Sequence, residues 1–264
     1  MIADPDELLA LACHVAREAG ALLARRAGET RTDIRSKSTT TDMVSEVDHE
    51  SEALIIARIL AARPGDGILG EEGGERAGNS GVRWVVDPLD GTTNYLYGLP
   101  AYAVAIAAEV EGVVVAGAVF DAAHGQLFSA SLGGGAFLDG QAVRVSIETD
   151  LGKALTGSGF GYEPEQRREQ GRVLARVVPH VRDIRRGGSA ALDLCSVACG
   201  RLDAYYELGL GPWDFAAAGL VVREAGGETL LYTESGRIRL VVAAPPALFG
   251  PLRALLRDAG APGA

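Results

Sequence analysis

The apolar run from Val82 to Val86 stops at Asp87-Pro88, and no other stretch constrains the chain more. The run has the composition of a buried strand, so a carboxylate stands at the strand's tip. Asp90 follows across a Pro-Leu step, and Gly91-Thr92-Thr93 opens a segment whose first backbone N–H groups have no evident partner, as at a helix start. Two carboxylates thereby converge beside a potential anion-binding helix end. Like charges at close range raise one pKa or demand a counter-ion. Hard divalent ions held by oxygen ligands meet that demand, and phosphate is the anion that suits both the ions and the helix terminus. A plain strand, turn and aspartate cap is the competing reading, because turns favour these residue types.

Composition narrows the function. A chain of 264 residues can bury a sizeable core, as one large or two moderate domains, and 47% hydrophobic with 23% charged residues describes an ordinary soluble protein. The formal charge of −10 argues against nucleic-acid binding and means that a phosphate ligand needs a local reversal of field, by metal ions or a basic pocket. Cys13, Cys195 and Cys199 are an odd set without a disulfide framework and read as reduced core residues. The acidic start, Asp4, Asp6 and Glu7, does not read as a secretory signal, and no apolar run approaches membrane-spanning length. The expectation is a cytoplasmic protein with no membrane or nucleic-acid partner.

Asp4-Pro5-Asp6-Glu7 predicts an N-cap and first turn, followed by an amphipathic helix to about Gly28. A second helix is expected after Ser45, with Leu54, Ile55, Ile59 and Leu60 facing the core. The acids ahead of and inside its first turn, Asp42 and Asp48, suit the helix dipole even if they do nothing else. Ile68-Leu69-Gly70 predicts a short strand running out at Glu71-Glu72, ahead of a flexible loop lasting to Gly81. Tyr102, Val104 and Ile106 alternate with alanines, giving a strand with one bulky and one small face, which turns into the apolar Val113 to Phe120. The first half, to about residue 150, therefore reads as helices against an antiparallel sheet. Residues 151–264 alternate as α/β units, with no linker at the change, and the two halves are expected to pack as one compact unit of alternating layers.

Gly157-Ser158-Gly159-Phe160-Gly161 lacks the final glycine and following helix of a dinucleotide loop, and four scattered histidines form neither a triad nor a zinc spacing. Tyr205-Tyr206-Glu207 stands shortly before Trp213-Asp214, where Asp214 opens an Ala-rich helix. Arg186-Gly187-Gly188-Ser189-Ala190 predicts another helix start that a ligand can approach closely.

Taken together, Glu71-Glu72, Asp87-Pro88-Leu89-Asp90-Gly91-Thr92-Thr93-Asn94, Gly188-Ser189-Ala190-Ala191, Asp203 to Glu207 and Trp213-Asp214 with Glu224 to Gly227 resemble the inositol monophosphatase family, in its bacterial inositol-1-monophosphatase branch. The resemblance spans nearly the whole chain. It departs at Tyr232, where an Asp often stands, and in the short Gly/Glu loop after Glu72. It implies a layered α/β sandwich of the sugar-phosphatase type, a homodimer, and a phosphomonoesterase dependent on Mg2+ and sensitive to lithium. Glu71, Asp87 and the Leu89 carbonyl would hold a first ion, and Asp87, Asp90 and Asp214 a second. Glu71 would share a weaker third. Gly91 and Thr92 would meet the phosphate, and Thr92 with Asp48 would orient the attacking water. Asp90, Gly188, Ser189, Ala190 and Glu207 would face the substrate, with Lys37 near the outer metal. Myo-inositol 1-phosphate is the expected substrate, ahead of histidinol phosphate and fructose 1,6-bisphosphate, and a catalytically silent regulatory relative is the alternative.

Overall fold

The computed structural model describes residues 4–27, 35–36, 43–44 and 46–264. Helix α1 (Pro5–Arg26) starts as its sequence dictates: Asp4 Oδ1 accepts the Asp6 N–H at 3.0 Å, and Pro5 occupies a position where no N–H is needed. Leu8, Ala12, Val15, Ala19 and Leu23 form its buried stripe. Helix α2 (Glu46–Ala62) packs beside it, with Ile55 and Ile59 buried and Leu54 and Leu60 half-buried against the same cluster. A two-residue ribbon pairs β1 (Arg35–Ser36) with β2 (Met43–Val44). Lys37, Asp42 and the Ser45 cap lie outside the described residues.

Eight strands make the first sheet: β3 (Gly67–Gly70), β4 (Gly74–Arg76), β5 (Val82–Asp90), β6 (Ala103–Val110), β7 (Val113–Asp121), β8 (Gln126–Ser131), β9 (Gly135–Leu138) and β10 (Gln141–Ala142). They run in the order β10-β9-β8-β7-β6-β5-β3-β4, and the short helix α3 (Thr92–Tyr97) lies between β5 and β6 in sequence. Three expectations are corrected here. The segment after Glu72 is not simply a flexible loop, because it contains β4, paired antiparallel to β3. The sheet is not wholly antiparallel, because β3 runs parallel to β5 with Gly70 opposite Val86. That junction sends both chains out of the same edge, which is what puts Glu71 beside Asp87.

The third correction concerns the strand itself, which does not stop at Asp87 but continues to Asp90. Asp87 faces Ala105 and Asp90 faces Ala103, so three steps on β5 oppose two on β6, and the extra residue is a bulge. Pro88 has no N–H to give the ladder, and the bulge accommodates it. In a regular strand, positions three apart point to opposite faces. The bulge turns Asp90 back toward the side that Asp87 occupies.

The second sheet runs β12 (Asp183–Arg185), β11 (Leu155–Ser158), β13 (Ala204–Glu207), β15 (Arg237–Ala244), β14 (Glu228–Glu234); its first three strands are parallel and the others antiparallel. Helices α4 (Pro164–Val177), α5 (Ala190–Ala198), α6 (Pro212–Glu224) and α7 (Pro246–Asp258) alternate with these strands. Helix α5 begins at Ala190, the expected start, with Ser189 as its cap.

Strand β6 explains the stacking. Val104 and Ile106 join the cluster with α1 and α2, whereas Ala103, Ala105 and Ala107 join the cluster formed with α5 and α6. Tyr205, Val241 and Ala243 of the second sheet close that middle cluster from the other side. A third cluster packs Val173, Val177, Leu248, Leu252 and Leu256 of α4 and α7 against Leu240 and Val242. The result is five alternating layers, α–β–α–β–α, in keeping with the alternating layers expected from the sequence. Small residues bring α6 close to its sheet: a β-carbon at Gly117 of β7 would stand 2.8 Å from the Ala217 carbonyl oxygen and 3.0 Å from its Cα. Among the described residues, no helix is long and apolar enough to cross a membrane.

Candidate active site

The C-terminal ends of β3, β5 and β13 and the starts of α3, α5 and α6 open onto one cleft of about 350 Å³. Glu71, Asp87, Asp90 and Asp214 all line it. Asp87, Asp90 and Asp214 each offer a carboxylate oxygen within 4.8 Å of the others. Asp87 and Asp90 are buried and Asp214 partly so. Burial, and then the charges of Glu71, Asp90 and Asp214, push the Asp87 carboxyl well above its usual range. Asp214 is driven strongly the same way, first by burial and then by Asp90 and Glu71. Asp90 rises less, because Ser189, the Ala191 and Ala190 N–H groups and Arg186 oppose the burial.

Local bonding fixes each acid. Asp87 Oδ1 accepts the Leu89 N–H at 3.0 Å, while its Oδ2 is buried without a hydrogen-bond partner. An orphaned buried carboxylate oxygen beside two further acids is the arrangement that a cation resolves. Asp90 Oδ2 accepts from Ser189 Oγ at 2.6 Å and from the Ala191 N–H at 2.7 Å, tying β5 to the head of α5. The Ser189 hydroxyl also caps α5, accepting the Leu192 N–H at 3.2 Å, so it is engaged as donor and as acceptor. Asp214 is the third residue of α6, behind its N-cap Gly211, and reaches back to the Gly211 N–H at 2.6 Å, so a capping-box bond and a place in the acid cluster coexist.

Thr92 Oγ1 stands 3.0 Å from both Asp48 Oδ1 and the Leu89 carbonyl, which brings the predicted Thr92–Asp48 pair together. Gly91 has φ +92°, and a β-carbon there would lie 2.8 Å from the Ala101 carbonyl, so glycine is required on both counts. Asn94 Nδ2 donates to Ala101 O at 2.7 Å and to Gly187 O at 2.9 Å, lashing α3 to the Gly187–Ser189 turn.

Gly188, Ala190 and Glu207 also line the cleft. Burial raises Glu207 to about 7, against the Tyr205 hydroxyl bonded to its Oε2 and the charge of Arg186. Gly159 leaves room for this carboxylate, because a β-carbon there would meet Glu207 Oε2 at 2.1 Å. Several cleft residues escaped the sequence reading, and two of them carry charge beside the substrate side. Asp193, raised to about 7 by burial, accepts the Gly187 N–H at 3.2 Å, and Arg186 is the cation among the described cleft residues. Their signal was faint: Asp193 sits mid-pattern in an apolar helix, and Arg186 is one of two adjacent arginines.

A layered α/β protein with a carboxylate cluster at its strand ends, facing a polar cleft, is the class that this fold and site define. The chain belongs to the inositol monophosphatase family, which it matches over residues 4–259. It is 46% identical over 274 residues to the inositol-1-monophosphatase SuhB of Mycobacterium tuberculosis (strain ATCC 25618 / H37Rv), covering 96% of this chain and 94% of that one. It is 39% identical over 256 residues to the Nus factor SuhB of Escherichia coli (strain K12), covering 95% and 96%. The crystal structure of the extragenic suppressor protein suhB from Bartonella henselae superposes with a TM-score of 0.90 at 36% identity, covering 96% of this chain and 99% of that one.

Proposed function

We propose that this protein is a magnesium-dependent phosphomonoesterase that hydrolyses myo-inositol 1-phosphate by direct attack of water, without a phosphoenzyme. The observation that carries the reading is the acid cluster with its partnerless Asp87 Oδ2. Glu71, Asp87 and the Leu89 carbonyl would hold one Mg2+, Asp87, Asp90 and Asp214 a second, and Glu71 would share a third. Bound ions of this kind supply charge neutralisation and lower the pKa of a bound water.

The remaining roles belong to side chains and backbone. The Thr92 hydroxyl donates its hydrogen bond to Asp48 or to the Leu89 carbonyl, which leaves the Thr92 oxygen to accept a hydrogen bond from the attacking water and aim it. The Gly91 and Thr92 N–H groups suit phosphate oxygens. Glu207 suits vicinal ring hydroxyls, each of which can donate to it, while Gly188 and Ala190 leave space beside it. Arg186 is the basic group that offsets the acidic field at the cleft. Lys37 is proposed only from the family resemblance.

Phosphate release with and without chelator tests the reading, together with kcat/KM for inositol 1-phosphate, histidinol phosphate and fructose 1,6-bisphosphate. Inositol 1-phosphate should lead, and lithium in the tens of millimolar should inhibit at limiting magnesium. Glu207→Gln should compress the ranking, since an unmet buried acceptor costs about 1–3 kcal/mol. A lead for histidinol phosphate, whose ammonium Glu207 could pair, would transfer the assignment to that substrate. We also propose a homodimer of this chain in the cytoplasm, which a monomer mass in light scattering would refute. The relative named Nus factor SuhB motivates a second reading, a regulatory protein without turnover. All four acids are present here, which favours the enzyme, and absence of release from every substrate would favour the other.

A further inference from the structure

Helix α2 buries three polar side chains, Asp48, Ser51 and Glu52, at a spacing that puts them on one face. Ile55 and Ile59 continue the same face into the core. Polar groups at such depth are costly unless they are bonded. Each of the three meets a different part of the site. Asp48 reaches Thr92, Ser51 Oγ donates to the Pro88 carbonyl at 2.8 Å, and Glu52 Oε1 accepts the Glu72 N–H at 3.0 Å. One helix face thus grips the turn that carries Glu71 and the bulge that carries Asp87 and Asp90.

We infer that Ser51 and Glu52 are positioning residues that set the spacing of Glu71 against Asp87 and Asp90, and so the site's affinity for a divalent ion. The inference builds on the reading of those acids as Mg2+ ligands. Two glycines support it independently. Gly70 and Gly73 do not have positive φ, so their conformation does not demand glycine. A β-carbon at Gly70 would lie 2.2 Å from Glu52 Oε1, and one at Gly73 would lie 2.8 Å from Oε2. What these glycines provide is room for the Glu52 carboxylate against the turn. The chemistry also matches: a carboxylate oxygen accepts, as the Glu72 N–H requires, whereas the Pro88 carbonyl needs a donor, which serine supplies.

Calorimetric titration of substrate-free protein with Mg2+ alone, paired with hydrogen exchange of residues 71–73 in chelator, tests this. Glu52→Ala should bind Mg2+ about tenfold or more weakly, as loss of groups that orient metal ligands typically does, and the turn should exchange faster. Glu52→Gln keeps a carbonyl oxygen that can stand where Oε1 does, and it should restore both readouts to near wild type. Ser51→Ala should weaken Mg2+ binding in the same direction, and it carries the test if Glu52→Ala does not fold. Wild-type Mg2+ affinity in the alanine variants, even with a lowered melting temperature, would reduce both residues to structural ones and overturn the inference alone. A wild type that takes up no Mg2+ would remove the metal reading and this inference with it.

Discussion

Asp87 shows how a single side chain can serve function against stability. Its carboxyl is held above the usual range by burial and by the neighbouring acids, and one of its oxygens has no protein partner. Asp87→Asn removes that charge, so in chelator the variant should melt higher than wild type. Turnover with Mg2+ should nevertheless fall by about 10²–10³, the loss expected for one preorganised electrostatic group. A variant that melts lower in chelator would contradict the electrostatic account of the site. Glu207 makes the same point through pH. Its folded value is about 7, against about 4.3 in the unfolded chain, so between those values the folded state retains a proton that the unfolded state has released. Its contribution is therefore present in full below about pH 4 and is lost as pH rises through about 7, amounting to about 4 kcal/mol for a shift of this size. Asp193 acts in the same direction. Melting in chelator should decline from pH 5 to pH 8, and Glu207→Gln should flatten the decline. A slope unchanged by that substitution would assign the titration elsewhere.

The elements that matter most are those where regular structure gives way. Helix α3 is held to the Gly187–Ser189 turn by Asn94, whose amide serves one carbonyl in each half of the chain. Asn94→Ala removes two hydrogen bonds to part-buried carbonyls, so we expect a loss of about 1–3 kcal/mol in denaturant melts and a raised KM for phosphate esters as the Gly91–Thr92 segment loosens. An unchanged KM would mean that α3 holds its place without this tie. These same places mark what could be read from sequence. The Asp87-Pro88-Leu89-Asp90 run was legible because apolar strand composition, a proline and two acids coincide within a few residues. The bulge inside it was not, because a one-residue slip shows only against the partner strand. Glu52 was hidden by its setting among Glu46, Asp48 and Glu50, where an acid-rich first turn reads as a solvated surface. Strand β14 was missed because adjacent Leu230 and Leu231 break the alternation and its faces are at most half-buried.

At the scale of the whole molecule, the cleft joins acids from both sheets' neighbourhoods. Asp87 and Asp90 come from β5 of the first sheet, whereas Glu207 ends β13 of the second and Asp214 opens α6 in the layer between. Their separation is therefore a layer distance. Glu224 at the other end of α6 accepts N–H groups from Gly133 and Gly135 at 2.9 and 3.0 Å, which pins the helix along its length. Gly117→Ala should force α6 outward, at a cost of about 1–3 kcal/mol typical of overpacking, and Mg2+ affinity measured by calorimetry should drop although the substitution touches no acid. Unchanged affinity would show that Asp214 moves independently of its helix. The contact at Gly117 has a wider meaning. Long side chains between a helix and a sheet act as compliant spacers, able to change rotamer and take up a few tenths of an ångström. Here main chain rests on main chain with nothing adjustable between, three residues along from Asp214. The gap between the two halves of the acid cluster is gauged by a hard stop, and its tolerance to heating or to nearby substitution is that of a backbone van der Waals contact.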